Sequence, residues 1–411
     1  MDGGKADDAD VNIRALIFAL LALACGHMLS TLLRTIPAVS LDVMAADFKT
    51  SPQALASLTS IYHFSFAASQ IPVGAAMDRF GVRPVSLGLL IGTIVGALAS
   101  GLATGPESFL FGQFLLGVAN SGMLMCPMTL AAKQLSPVRF GLWSGLILSI
   151  GNIGMLLSSS PLAFVVELWG WRAGFWISTG FGLMVALAVY ALVPNQRAEH
   201  ADRSSPLSQM ASVLRIGVSY RLRGLIAIAL VSLAAVLVLR GLWGGPWLME
   251  IKGLSRIGAG NALGLFTIAL IVGPALIGLF DRSFGHRREV LAATHFLAAL
   301  LLALMAAGAS HFPVSELFGV AAMPAQYDIV LLVLIGFAMS AQPLVFGMTR
   351  QLVDEQNTGK ALSAVNLAFF LGAALMQSAT GVVAALLGLA AVLLFMAAAL
   401  IIGTTLFLLY T

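Results

Sequence analysis

Hydrophobic residues in this chain come in long unbroken runs rather than in an alternating or one-faced pattern. Runs long enough to cross a roughly 30 Å hydrocarbon core fall near 15–40, 54–77, 84–103, 108–132, 141–165 and 172–193, and again near 223–248, 259–280, 289–309, 328–349, 360–384 and 386–410. Between the two sets lies the one long polar stretch, 194–222, with Asn195, Gln196, Arg197, Glu199, His200, Asp202, Arg203, Ser204, Ser205 and Pro206. The pattern predicts an all-α membrane protein with 12 transmembrane helices. It divides into an N-terminal six-helix bundle (1–193), a linker with a short surface helix (194–222) and a C-terminal six-helix bundle (223–411).

Charge adds a direction. With the N-terminus inside, the cytoplasmic segments hold sixteen Lys and Arg, including Arg79, Arg83, Arg139, Arg215, Arg282, Arg287 and Arg288, whereas the opposite loops hold only Lys49, Arg172, Lys252 and Arg256. Such an excess of cations on one side predicts that both termini and the linker are cytoplasmic. Apolar residues make up 59% of the 411 and charged residues only 10%, so lipid is the expected solvent. The net charge of +4 comes from loop clusters without interleaved aromatics, which excludes a nucleic-acid surface. Cys25 and Cys126 lie in apolar runs without metal or redox spacing and are expected to be buried small hydrophobes. The acidic, polar first fourteen residues predict no cleavable signal peptide, so the first run should stay as a membrane helix; the expected location is a bacterial inner (plasma) membrane.

Two cations break the apolar runs. Arg34 and Arg240 sit inside the first and seventh runs, each followed within six residues by a proline, Pro37 or Pro246. Arg34 lies 44 residues before Asp78 and Arg240 lies 41 before Asp281, so the halves repeat one another. An ionisable residue within a membrane is expensive and marks a function by default. Both arginines, however, fall in the outer part of their helices, and snorkelling to the interface is the competing reading.

The loop after the second run reads Gly74-Ala-Ala-Met-Asp78-Arg79-Phe-Gly81-Val-Arg83, and a degenerate copy, Gly278-Leu-Phe-Asp281-Arg282-Ser-Phe-Gly285-His-Arg287-Arg288, follows the eighth. These loops resemble the signature of the major facilitator superfamily (MFS), at the positions where that family carries it. Gly170-Trp171-Arg172 before the sixth run is also common there. The resemblance covers the whole chain and implies the MFS fold of two pseudo-symmetric bundles, alternating access and secondary transport, with helices 4 and 10 lining the cavity. Gly74, Asp78, Arg79, Gly81, Arg83, Asp281 and Arg282 are then conformational residues, Gly74 permitting close helix approach and Asp78 pairing with the arginines beside it. One departure is Gln113, where the superfamily usually has an arginine linked to proton coupling.

Around the seventh run, Leu-Val-Leu-Arg240-Gly-Leu-Trp-Gly-Gly-Pro246-Trp-Leu-Met-Glu250 resembles the organic-anion and organophosphate branches, in which arginines of helices 1 and 7 hold the substrate's negative group. Thr35, Gln70 and Gly151, beside a retained Asn152, replace further cations of the glycerol-3-phosphate transporter type. A carboxylate is therefore favoured over a phosphate, whose desolvation needs more positive charge.

The remaining polar positions complete the candidate site. His27, Ser30, Thr31 and Arg34 form a stripe on the first helix, and Arg240, Trp243, Gly244 and Trp247 share a face of the seventh at α-helical spacing. His63, sharing a face with Thr59, Ser60 and Gln70, is either a proton carrier or donor or a hydrogen-bonded packing residue, as is His27. Asn120, Asn152, Asn366 and Gln342 read as helix–helix contacts, although Asn152 also joins the expected substrate set. Every carboxylate maps to a loop, tail or helix end, with Asp42, Asp78, Glu167 and Glu250 deepest. No cofactor, metal or enzymatic site is expected. The expected partners are a small organic anion, protons or a counter-anion, and the bilayer, with the monomer as the functional unit. Organophosphate exchange, multidrug/proton efflux and a non-transporting assembly factor or sensor are the alternatives. Against efflux, Gly151-Asn-Ile-Gly154 lacks the proline usual in drug antiporters.

Overall fold

In the computed structural model the described chain is almost entirely helical, without a strand among the described residues. The structure describes residues 3–195, 206–284, 286–309, 313–317, 319–354 and 357–411, and within these no side chains of 3–13, 137–138, 141–142, 206–207, 209, 275, 278–284 or 313–314. The polar stretch 196–205 and the side chains of Asp281 and Arg282 thus lie outside the described residues.

Before the linker the chain forms α1 (Gly3–Thr35), α2 (Pro52–Phe80), α3 (Val82–Gly101), α4 (Pro106–Asn120), α5 (Met125–Gln134), α6 (Pro137–Leu157), α7 (Ser160–Trp169) and α8 (Arg172–Leu192). After it come α9 (Pro206–Gly217), α10 (Arg223–Val238), α11 (Arg256–Phe284), α12 (Arg287–Ala307), α13 (Ala325–Met339), α14 (Pro343–Leu352), α15 (Thr358–Leu387) and α16 (Leu389–Tyr410). Among the described residues ten spans are long and apolar enough to cross a bilayer, and the last, Thr358–Tyr410, holds both α15 and α16. α2 is long enough as well but more polar. These elements are consistent with twelve crossings.

Local chemistry sets the boundaries. Pro52, Pro106, Pro137 and Pro343 stand in the first turns of their helices, where a missing N–H is harmless and φ is already helical. Ser51 caps α2 by accepting a bond from the Ala54 amide at 3.1 Å. Gly81 and Gly388 adopt φ of 86° and 82° and so turn the chain sharply between successive helices, a conformation costly for any residue with a Cβ. The fourth and tenth runs each bend at mid-length, at 121–124 and 340–342.

The seventh run departs from the α-helical expectation. After α10 the backbone forms two π-helical turns, Leu239–Trp243 and Trp247–Ile251, separated by Gly244–Pro246. Pro246 has no N–H to donate to the preceding turn, and the wider i→i+5 turns absorb the disruption. π-turns often sit at functional positions.

Ties between the helices before and after the linker gather toward one end. The Asp42 carboxylate accepts two bonds from Arg256, at 2.8 and 2.7 Å. Gln377 and Ser378 of α15 donate to Thr59 and Ser60 of α2, at 2.5 and 2.8 Å. Ser160 bonds Asn261 at 2.5 Å, and the Ala38 backbone lies directly against Gly245. At the other end, α9 packs on α15 and α2, with Gly217 against Ala364.

Candidate functional site

The two arginines of the apolar interior have different surroundings. Arg240, in the first π-turn, is fully buried. Its Nε donates to Thr267 Oγ1 of α11 at 2.8 Å, and one Nη donates to Ser159 Oγ at 2.6 Å, to Ser158 Oγ at 3.2 Å and to the Met155 carbonyl. Ser158 is in turn bonded to Thr35 at 2.5 Å. Arg240 therefore ties the end of α6 to α11 beside the closed end, with only its second Nη unpartnered.

Arg34, in the last turn of α1, remains partly exposed although it sits in the interior, so it borders open space. Its Nε is buried without a hydrogen bond, and no ion pair holds its guanidinium among the described residues. Its charge lies within electrostatic reach of Tyr62, His63 and His27, and 5.8 Å from the Phe370 ring centroid. Phe370 of α15 stacks on Phe66 of α2 at 4.0 Å, and the Tyr62 and His63 rings sit edge to face at 5.2 Å.

His63 is buried, and neither of its ring nitrogens makes a well-formed hydrogen bond, although the Gln377 side chain lies beside it. The Tyr62 hydroxyl is equally buried and unpaired, near Ser30 and Asn120. Buried polar groups are nearly always bonded, so this concentration of free groups around an unpaired cation is unusual. Asn120 bonds Thr93 at 3.0 Å, which is the helix–helix contact expected of it. His27 and Thr31 face α6: a Cβ on Gly151 would overlap the His27 ring, and Thr31 donates to the Gly151 carbonyl. Asn152, beside Gly151, is half-buried.

The tryptophans of the seventh run correct the single-face expectation, because the π-turns change the angular step. Trp243 donates to Thr380 of α15 at 3.0 Å, and Trp247 donates to Asp328 of α13 at 2.8 Å. Both indoles are 1% exposed and are anchored to different neighbours from those of Arg240. A second correction concerns the carboxylates. Asp328, expected at a helix end, is fully buried with Lys252 at 3.0 Å, the two side chains being 0% and 1% exposed. Lys252 also donates to the Gly308 and Met323 carbonyls, at 2.9 and 3.0 Å. Sequence reasoning missed Asp328, Tyr62, Phe66 and Phe370. Tyr62 and Phe66 were accessible to it, since they continue the Thr59 face of α2 at helical spacing.

The sequence profile of the Major Facilitator Superfamily matches residues 23–310, well over half of the chain. The chain belongs to the major facilitator superfamily. It is thus an integral membrane protein of a family of secondary transporters. It is 29% identical over 197 residues to the tetracenomycin C resistance and export protein of Streptomyces glaucescens, covering 46% of this chain and 35% of that one. It is 24% identical over 229 residues to the putative niacin/nicotinamide transporter NiaP of Bacillus subtilis, covering 55% and 57%. These two matches thus span between a third and just over half of the relatives' lengths. A match to the methylenomycin A resistance protein of B. subtilis is longer, 23% identical over 89% of this chain and 87% of that one. The fold matches the nucleoside transporter NupG (TM-score 0.76, 15% identity, 95% and 99% covered) and a POT family transporter crystallised with 5-aminolevulinic acid (0.79, 12%, 95% and 95%).

The first copy of the loop signature forms no ion-pair latch among the described residues. Asp78 is exposed and has no ion-pair partner among the described residues, contrary to the expected pairing with its neighbouring arginines. Arg79 lies over Phe80, and Arg83 instead donates to the Tyr190 carbonyl of α8 at 2.6 Å. Gly74 faces only the flexible tip of Met125, at 3.3 Å from a built Cβ, and Gly81 supplies the turn. In the Gly170-Trp171-Arg172 element, Trp171 packs among Phe48, Phe109 and Phe175, and Arg172 pairs with Asp47 at 2.5 Å.

Proposed function

We propose that this member of the superfamily carries a small organic anion, foremost a monocarboxylate with an aromatic or apolar body. It does so by alternating access between the bundles 1–193 and 223–411, in a bacterial inner membrane with both termini cytoplasmic. The carrying observation is Arg34, an interior, partly exposed guanidinium without a protein counter-ion among the described residues. An unpaired cation in an apolar interior is costly, and a bound carboxylate would offset that cost through a bidentate bond. Phe66 and Phe370 offer ring faces for the ligand's body. The free groups of Tyr62 and His63 suit a polar head. Arg240, held by protein partners, acts first as a tie at the closed end. With the positive-inside orientation that end is periplasmic. The likeness to the putative niacin/nicotinamide transporter is compatible with this reading, since niacin is an aromatic carboxylate, although nicotinamide is its neutral amide.

Export of a drug-like compound is the second reading, favoured by the resistance and export functions named for two of the relatives. A thermal-shift screen of purified protein against carboxylates, phosphate esters and lipophilic cations separates the two. Benzoate or a related acid should raise the melting temperature of wild type, and Arg34→Ala should abolish the rise while Arg34→Lys weakens it. Stabilisation by cations alone, or by anions equally in wild type and Arg34→Ala, would overturn the anion reading.

A further inference from the structure

We infer that His63 takes up a proton when the anion binds beside Arg34, making the protein a proton–anion symporter; the inference rests on the anion reading above. Its geometry is that of one unpaired cation beside an imidazole whose ring nitrogens are unbonded. His63 of α2 and Arg34 of α1 lie within electrostatic reach of one another, and both imidazole nitrogens are free of well-formed hydrogen bonds. A proton arriving from water can therefore add to an unpaired ring nitrogen without first breaking a bond.

The groups around His63 define the sign of the effect. Facing it are Arg34 from α1, the neutral Tyr62 on its own helix and the neutral Gln377 from α15, with Phe66 and Phe370 nearby. His27 of α1 also feels Arg34, and no carboxylate among the described residues is close enough to perturb either arginine or histidine. In the empty site a proton on His63 would face the Arg34 cation without compensation. A carboxylate between them removes that opposition and adds an attraction. Binding of the anion therefore raises the affinity of His63 for a proton, and by reciprocity a proton on His63 raises the affinity for the anion by the same factor. Histidine can serve as the proton carrier in place of an acidic side chain, because a neighbouring anion favours its charged form and brings it toward the physiological range. His27 is the less suited of the two histidines: its ring is fitted against the Cβ-less surface of Gly151, which leaves no room there for a ligand.

The test is titration calorimetry of the purified full chain with benzoate between pH 6 and pH 8, where the ligand itself stays ionised. Repeating each run in two buffers of different ionisation enthalpy gives the number of protons taken up per anion. Wild type should take up close to one proton at the lower end of this range, where Arg34 already keeps the empty site's His63 neutral, and its Kd should weaken up to tenfold per pH unit until the loaded site loses its proton in turn. His63→Gln should bind benzoate with a Kd independent of pH and take up none, with His63→Asn as a second replacement should glutamine disturb packing. His27→Gln should keep the wild-type uptake. Arg34-dependent binding without proton uptake in wild type, or undiminished uptake in both His63 variants, would overturn the inference while leaving the anion reading intact. Benzoate binding that ignores Arg34→Ala, or no binding of any carboxylate, would remove the anion reading and this inference together.

Discussion

Replacing Gly245 with alanine should open the end of the molecule at which the two bundles meet. A Cβ built on Gly245 would lie 1.6 Å from the Ala38 carbonyl oxygen and 2.8 Å from its carbon, against an ordinary contact beginning at 3.4 Å. The clash sets backbone against backbone, so no rotamer change can relieve it, and relief requires a separation of nearly 2 Å. Overpacking of this kind costs about 1–3 kcal/mol in a packed interior. Ala38 and Gly245 lie on opposite sides of the linker, so opening this end removes the clash and closing it restores it. A penalty of ~2 kcal/mol then shifts the closed-to-open ratio by roughly thirtyfold, at 1.4 kcal/mol per factor of ten. Spin labels at Leu102 and Leu387, which are 65% and 72% exposed near this end, report the opening by pulsed electron resonance once Cys25 and Cys126 are replaced by alanine. Gly88→Ala is the control, since nothing lies within 4 Å of a Cβ there. If Gly245→Ala folds with the wild-type distance distribution, the Ala38–Gly245 contact does not govern closure.

Arg240→Ala should lower the melting temperature and loosen the same end. It removes charge-assisted bonds to Thr267, Ser159 and Met155, each worth roughly 1.5–3 kcal/mol, and Arg240→Lys should rescue little because lysine lacks the planar fork. Asp328→Ala strands the buried Lys252 ammonium and should destabilise by about 3–5 kcal/mol in thermal melts, whereas Asp328→Leu with Lys252→Met should recover most of the loss. For the Asp42–Arg256 pair, burial raises the Asp42 pKa, but the hydrogen bonds and charge of Arg256 outweigh it and hold the carboxylate below its ordinary value. A depressed carboxylate stabilises above its unperturbed value of about 3.9 and ceases to do so as pH falls through the lower one. The Leu102–Leu387 label distance should therefore lengthen in acid, and Asp42→Asn should show the acid distance at neutral pH.

The sequence announced the architecture clearly and the site only partly. Apolar runs survive as helices because the bilayer demands internally bonded backbone, and the prolines and glycines that bound them act locally. Arg34 was legible for the same reason: a cation in such a run needs an explanation. The partners of Arg240 were not, since Met155, Ser158 and Ser159 come from another helix and only packing brings them together. The π-turns defeated the reading of Trp243 and Trp247, because a 3.6-residue period misassigns faces once two wider turns intervene. Asp328 looked peripheral from its place at the start of a helix, but the Trp247 indole and Lys252 enclose it from distant parts of the chain.

That no described residue supplies a counter-ion to Arg34 also bears on how such a carrier would respond to membrane voltage. The empty site holds one positive charge, and a site loaded with a monoanion and a proton on His63 holds the same. A voltage, worth about 2.3 kcal/mol per charge per 100 mV, tilts both legs of the cycle equally and does no net work over a turnover. A negative interior merely favours the inward-facing form, loaded or empty. Accumulation would then follow the pH difference alone, at about 1.4 kcal/mol, or tenfold, per unit.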